Sequence, residues 1–231
     1  MNKSILIIGT PRSGTGSLSI AFNSQFGSNT IYGTNSTREP WNYNSPNVRL
    51  NDTSTDWTKT PYDLDLIKEG NVILKTQSHQ KPKHYPGSSI DFLLELVEKF
   101  DKKRIIIICR KDFDNHMLSF TNLRHNIFKY GYWTGRQNLP WKHSDIPNSY
   151  LENKEEQESN FKLLTEYRKL LFEISDKLNI NVTWYEDLYG QDRNKSLEII
   201  KSWNLGINNT KLNEELDPKF KYDRTNMMTI I

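Results

Sequence analysis

A stretch near the start of the chain, Gly9-Thr10-Pro11-Arg12-Ser13-Gly14-Thr15-Gly16-Ser17, carries the residue types of a phosphate or sulfate site. Where such a stretch leads into a helix, backbone N–H groups converge on one concavity and complement negative charge. Its glycines let the main chain approach an anion closely, and Thr15 and Ser17 add hydroxyl donors. The Gly9-x4-Gly14 spacing matches a Walker A loop, yet Thr15 stands where that loop requires Lys. A cation is supplied from another direction by Arg12, two residues before the second glycine. Helix-end electrostatics contribute about 0.3–2 kcal/mol, whereas micromolar binding needs about 8 kcal/mol. Other phosphate and base contacts must therefore lie downstream.

Two later segments are candidates. Ile105-Ile106-Ile107-Ile108-Cys109 is an apolar run closed by Arg110, Lys111 and Asp112, with Ser119 a short distance on. Val182-Thr183-Trp184-Tyr185-Glu186-Asp187-Leu188 is followed by Trp203 and Gly206. With the first loop, these segments resemble the signatures of the PAPS-dependent sulfotransferases, nearer the carbohydrate and bacterial branch than the vertebrate cytosolic one. The resemblance covers about residues 4 to 206.

It implies that Arg12, Ser13, Gly14, Thr15, Gly16 and Ser17 hold the 5′-phosphosulfate of 3′-phosphoadenosine 5′-phosphosulfate (PAPS), which leaves as 3′-phosphoadenosine 5′-phosphate (PAP). It implies that a strand-end base and Ser119 hold the 3′-phosphate, and that Tyr185 lies near the adenine. Counting nine back from Ser119 gives Arg110; counting eight gives Lys111. Arg110 is favoured because a guanidinium offers phosphate a bidentate fork. Several departures are plain. Phe113 replaces the usual Pro, and no aromatic follows the first loop. The C-terminal Arg-Lys-Gly clamp of the cytosolic branch is missing, with Lys219, Lys221 and Arg224 the nearest basic residues.

Sulfuryl transfer requires in-line geometry and stabilisation of charge on the leaving oxygen, as phosphoryl transfer does. Arg12 is placed to neutralise the leaving 5′-phosphate, and Lys75 to contact the bridging oxygen. An acceptor hydroxyl also needs a base. Glu39, in Arg38-Glu39-Pro40-Trp41, resembles the Glu-Pro motif of the carbohydrate branch. His79 is the alternative: the cytosolic branch has Lys-x-His, but Gln77 occupies the matching position and His79 lies two residues later. The catalytic set is thus Arg12, Glu39, Lys75 and His79. No metal is required, since the five His are scattered without ligand spacing. Aromatic residues such as Trp41, Trp57, Trp133 and Trp141 suit a small-molecule, carbohydrate or glycolipid acceptor, or two packed lids.

The elements that must position these groups alternate. Strands are expected at Ile5–Ile8, Thr30–Gly33, Val72–Leu74, Ile105–Cys109 and Ile180–Tyr185, and helices at Leu18–Phe26, Ile90–Phe100, Phe113–Phe128, Glu155–Leu178 and Ser196–Trp203. A loop is expected from Lys129 to Asn153. Alternation of this kind predicts an α/β fold, a central parallel sheet flanked by helices, and the resemblance makes it P-loop NTPase-like. One domain is expected over residues 1–231, with 207–231 left unassigned. Net charge is +3, which suits an anionic ligand but not nucleic acid. No run approaches the roughly 20 apolar residues of a membrane span, and a lone Cys109 points to a reducing cytoplasm. The competing readings are a P-loop kinase and a catalytically silent nucleotide-binding relative. Oligomeric state is open.

Overall fold

An unbroken apolar run is stable only where both of its faces are covered, and Ile5–Gly9 (β1) meets that condition, being buried throughout. The computed structural model describes residues 4–26, 73–82, 85–130 and 153–218. Among them β1 pairs in parallel with β2 (Ile73–Gln77) on one side and β3 (Ile105–Cys109) on the other, and β3 pairs in parallel with β4 (Val182–Trp184). The strand order is β2-β1-β3-β4.

Successive side chains on a strand face opposite ways, and two cores result. Leu6, Ile8, Ile105 and Ile107 join Phe92, Leu93 and Leu96 of α2 (Ser89–Val97) and Leu171 and Ile174 of α4 (Lys154–Leu178). Ile5, Ile7, Ile106 and Ile108 join Leu18 and Phe22 of α1 (Thr15–Phe26), Ile200 of α6 (Arg193–Ser202) and Leu212 of α7 (Asn209–Glu215). Each fully buried aliphatic side chain contributes about 1.5–3 kcal/mol, so the sheet is held from both sides. The remaining described α-helices are α3 (Phe113–Tyr130) and α5 (Tyr185–Tyr189).

Local chemistry sets the helix ends. Ser88 and Asp91 form a reciprocal capping box on α2. Asn153, Asp192 and Asn208 cap α4, α6 and α7 through their side chains. Asn179 closes α4 in the left-handed conformation, with φ of 49°.

From β1 the chain crosses to β2 by way of α1 on one face. It then returns past β1 to β3 by way of α2 on the other face. Reversing direction and face together preserves the hand of the crossover. The connections leaving β1 and β3 therefore diverge, opening a crevice at the carboxyl ends of these neighbours.

Most element boundaries differ from expectation by a few residues, and three differences stand out. β2 continues through Lys75, Thr76 and Gln77, which are buried and stay in register with Ile7, Ile8 and Gly9 of β1. β4 stops at Trp184 because Tyr185 opens α5, whose first turn holds Glu186 and Asp187, favourable at a helix N-terminus. Residues 209–215, left unassigned, form α7. The expected strand at 30–33 and the loop beyond Tyr130 fall outside the described residues. No described helix is long and apolar enough to cross a membrane.

Candidate functional site

The loop between β1 and α1 crosses the mouth of this crevice. Ser13 folds it by donating from both its amide and its hydroxyl to the Thr10 carbonyl, at 3.2 and 2.7 Å. Two residues have left-handed backbone, Arg12 with φ of 67° and Gly14 with φ of 88°. Glycine adopts that region freely. For Arg it costs on the order of 1–2 kcal/mol, so surrounding contacts must hold it. At Gly14 space is decisive as well: a Cβ would fall 2.7 Å from Tyr185 Cδ2 and 2.8 Å from Tyr189 Cε2. Tyr189 donates its hydroxyl to the Gly14 carbonyl at 2.9 Å.

Residues about a hundred positions apart meet around Arg12. Its Nε donates to Ser119 Oγ at 3.1 Å, and its carbonyl accepts from Arg110 Nε at 2.9 Å. The Arg110 guanidinium lies 4.3 Å from the centroid of the Tyr185 ring, a cation–π arrangement. Burial, followed by the charge of Arg110, pushes the Arg12 pKa down to about 10, partly opposed by Tyr185. Two guanidinium groups are thus held in each other's field beside a helix N-terminus, where an anion would relieve the repulsion. Lys75 is buried in the middle of β2, in register with Ile7. Its Nζ lies 3.8 Å from where a Cβ on Gly16 would sit, which places a third cation at the start of α1.

The predicted set is therefore only partly assembled. Arg12, Ser13, Gly14, Thr15, Gly16, Ser17, Lys75, Arg110, Ser119 and Tyr185 belong to the loop or border it. The side chain of Lys111 is exposed, and its amide donates to Glu186 Oε2 at 2.7 Å. The structure therefore puts Arg110, not Lys111, against Arg12 and Tyr185. His79 turns to the helices, its ring stacked on Tyr167 of α4 at 3.8 Å and its carbonyl accepting from Ser89 Oγ at 2.8 Å. Glu39 lies outside the described residues, as do Lys219, Lys221, Arg224 and the named tryptophans Trp41, Trp57, Trp133 and Trp141.

Sequence reasoning missed a second layer behind the loop. His116 of α3 is fully buried. Its Nε2 is 2.7 Å from the Pro11 carbonyl and 3.4 Å from Thr10 Oγ1, while its Nδ1 is 3.1 Å from Arg168 Nη1 of α4. The same Nη1 donates to the Arg110 carbonyl at 2.8 Å. A guanidinium only donates, so Nδ1 accepts and the ring proton sits on Nε2, donating to Pro11. Burial, and then the charges of Arg168, Arg110 and Arg12, push the His116 pKa down to about 4 against the opposing pull of the Pro11 carbonyl. The one available signal was the spacing of His116 and Ser119, which puts both on one side of α3.

A separate cleft of about 320 Å³ opens beside β4, lined by Thr183, Trp184, Asp187 and Trp203 among others, and shares no residue with the loop cluster. Comparison with protein-family models, with curated proteins and with solved structures finds no match.

Proposed function

We propose that the chain is a sulfotransferase on a P-loop NTPase-like fold, carrying a sulfuryl group from PAPS to a hydroxyl acceptor. The observation that carries this reading is the meeting of Arg12, Ser119, Arg110 and Tyr185 at the carboxyl ends of β1 and β3. A 3′,5′-bisphosphorylated adenosine presents two anionic groups and an aromatic base. The cluster offers two guanidinium groups, a hydroxyl and an aromatic ring within one crevice.

The donor supplies an activated sulfuryl group with a good leaving phosphate. The loop from Ser13 to Ser17, with Arg12 and Lys75, holds the 5′ end. Arg12 and Lys75 offset the charge that develops on the leaving oxygen. Arg110 and Ser119 hold the 3′-phosphate, and Tyr185 flanks the adenine. Glu39 or His79 takes the proton from the acceptor, which is of the carbohydrate, glycolipid or small-molecule class.

Calorimetric titration with PAP and ATP, with transfer of labelled sulfate from PAPS to a panel of hydroxyl acceptors, tests this reading. PAP should bind in the micromolar range or tighter, and at least one acceptor should be labelled. Tight ATP binding with indifference to PAP would point to a kinase instead, and PAP binding without transfer to any acceptor would point to a silent relative. Glu39→Gln should keep PAP affinity and abolish transfer; if His79→Ala does so in its place, the base is His79.

A further inference from the structure

Arg12 occupies the third position of a turn closed by the Ser13 amide on the Thr10 carbonyl, where positive φ is required and Gly or Asn is usual, so an Arg there must be held by contacts from outside the turn. Ser13 folds back on Thr10, which closes the turn but leaves the carbonyls of Pro11 and Arg12 to be fixed from outside. Two contacts do this from behind. His116 Nε2–H takes the Pro11 carbonyl, and Arg110 Nε takes the Arg12 carbonyl. Both lead to one residue, because Arg168 Nη1 donates to His116 Nδ1 and to the carbonyl of Arg110. The Arg168 head is itself fixed on two aromatic rings, 5.2 Å from the centroid of Phe113 and 5.7 Å from that of Phe172. These contacts tie α3 and α4 to the two peptides on either side of the Arg12 Cα.

We propose that His116 and Arg168 are positioning residues: a buried imidazole and a guanidinium that lock the Pro11–Arg12 turn so that the anion-binding side chain of Arg12 is pre-set before the donor arrives. Neither residue needs to touch the donor. The lock deepens the sulfotransferase reading and rests on it only for the identity of the anion. Its chemistry requires a neutral ring with the proton on Nε2, because an imidazolium has no lone pair to accept from Arg168. The charged groups facing the ring are Arg12 from the loop, Arg110 from the end of β3 and Arg168 from α4, and all three disfavour a cation there. Preorganisation of this kind lowers the ordering cost of binding and holds a catalytic group in its working geometry.

Nitrogen-15 NMR of the full chain tests the lock directly. The His116 ring should be neutral with the proton on Nε2 from pH 5.5 to 8; a charged ring, or a proton on Nδ1, overturns the proposal. His116→Leu removes both contacts, whereas His116→Gln keeps an amide donor for the Pro11 carbonyl. In His116→Leu the amide signals of Arg12 to Gly14 should shift while those of Ile5 to Ile8 stay in place, and PAP affinity should fall tenfold or more. His116→Gln should recover part of both effects. Unshifted loop amides, or PAP affinity equal to wild type in a folded His116→Leu, overturn the lock. Where His116→Leu does not fold, Arg168→Met takes its place with the same expected outcomes. If the wild-type chain binds no PAP, the sulfotransferase reading falls and the ring tautomer and loop amides decide the lock alone.

Discussion

Arg12 combines an unusual backbone, a shifted proton affinity and hydrogen bonds to Ser119 and Arg110 in one residue. Its replacement by Ala should reduce turnover by about a hundredfold to a thousandfold, the usual effect of deleting one charge-stabilising donor, while some PAP binding survives through Arg110 and Ser119. Steady-state kinetics beside calorimetry would measure the two separately. His116 carries a different consequence. Its folded pKa of about 4 lies below the ordinary value near 6.5, so the unfolded chain takes up this proton first as pH falls. The associated stability is fully present above about pH 6.5 and is lost as pH drops towards 4, on the order of 3 kcal/mol in all. Urea unfolding at pH 7 and pH 5 should show about 2 kcal/mol of that loss in the wild type and a smaller loss in His116→Gln.

The short helix α5 gathers three contacts with the site in little more than one turn. Tyr185 lies under Arg110, Glu186 accepts from the Lys111 amide, and Tyr189 donates to the Gly14 carbonyl. A helix of this size has little stability of its own, and its place depends on the two tyrosine rings fitting against a glycine. Gly14→Ala would therefore strain the backbone by roughly 1–2 kcal/mol and push both rings away. Its melting point should be lower by about 4 °C or more, and PAP binding should weaken with it.

How far the sequence disclosed these elements followed the chemistry of each. The apolar runs of β1 and β3 read directly as strands because both faces are buried. The end of β2 did not, since Lys75, Thr76 and Gln77 have the polarity of a loop and gain their burial from tertiary neighbours. Tyr185 looked like the end of a strand because aromatic residues favour strands, whereas Glu186 and Asp187 after it favour a helix start. Arg12, Arg110, Ser119 and Tyr185 were legible through motif order. His116 and Arg168 were not, because a contact between two helices 52 positions apart in the chain leaves no local pattern.

At the scale of the whole molecule, the doubly wound sheet explains why one crevice receives residues from so many segments. The connections that leave β1 and β3 diverge, so their first turns face each other across the gap. A ligand bridging those turns should stabilise the fold as a unit. With PAP at a hundred times its dissociation constant the gain is about 2.7 kcal/mol, or roughly 5–10 °C in melting point for a chain of this size. On the proposed assignment of the 3′-phosphate to Arg110 and Ser119, differential scanning calorimetry with PAP and with 5′-AMP should show the larger shift for PAP.

The strand order also bears on how the chain comes to be made. β1 is interior to the sheet, yet both of its hydrogen-bonded neighbours follow it in the chain, at Ile73–Gln77 and Ile105–Cys109. At ribosomal speeds of about 5–20 residues per second, an oily strand waits several seconds for its first partner and longer for its second. Four consecutive aliphatic residues, Ile5 to Ile8, are open to stray pairing throughout that interval. Yield during expression should thus depend on chaperones and on translation rate more than equilibrium stability would suggest.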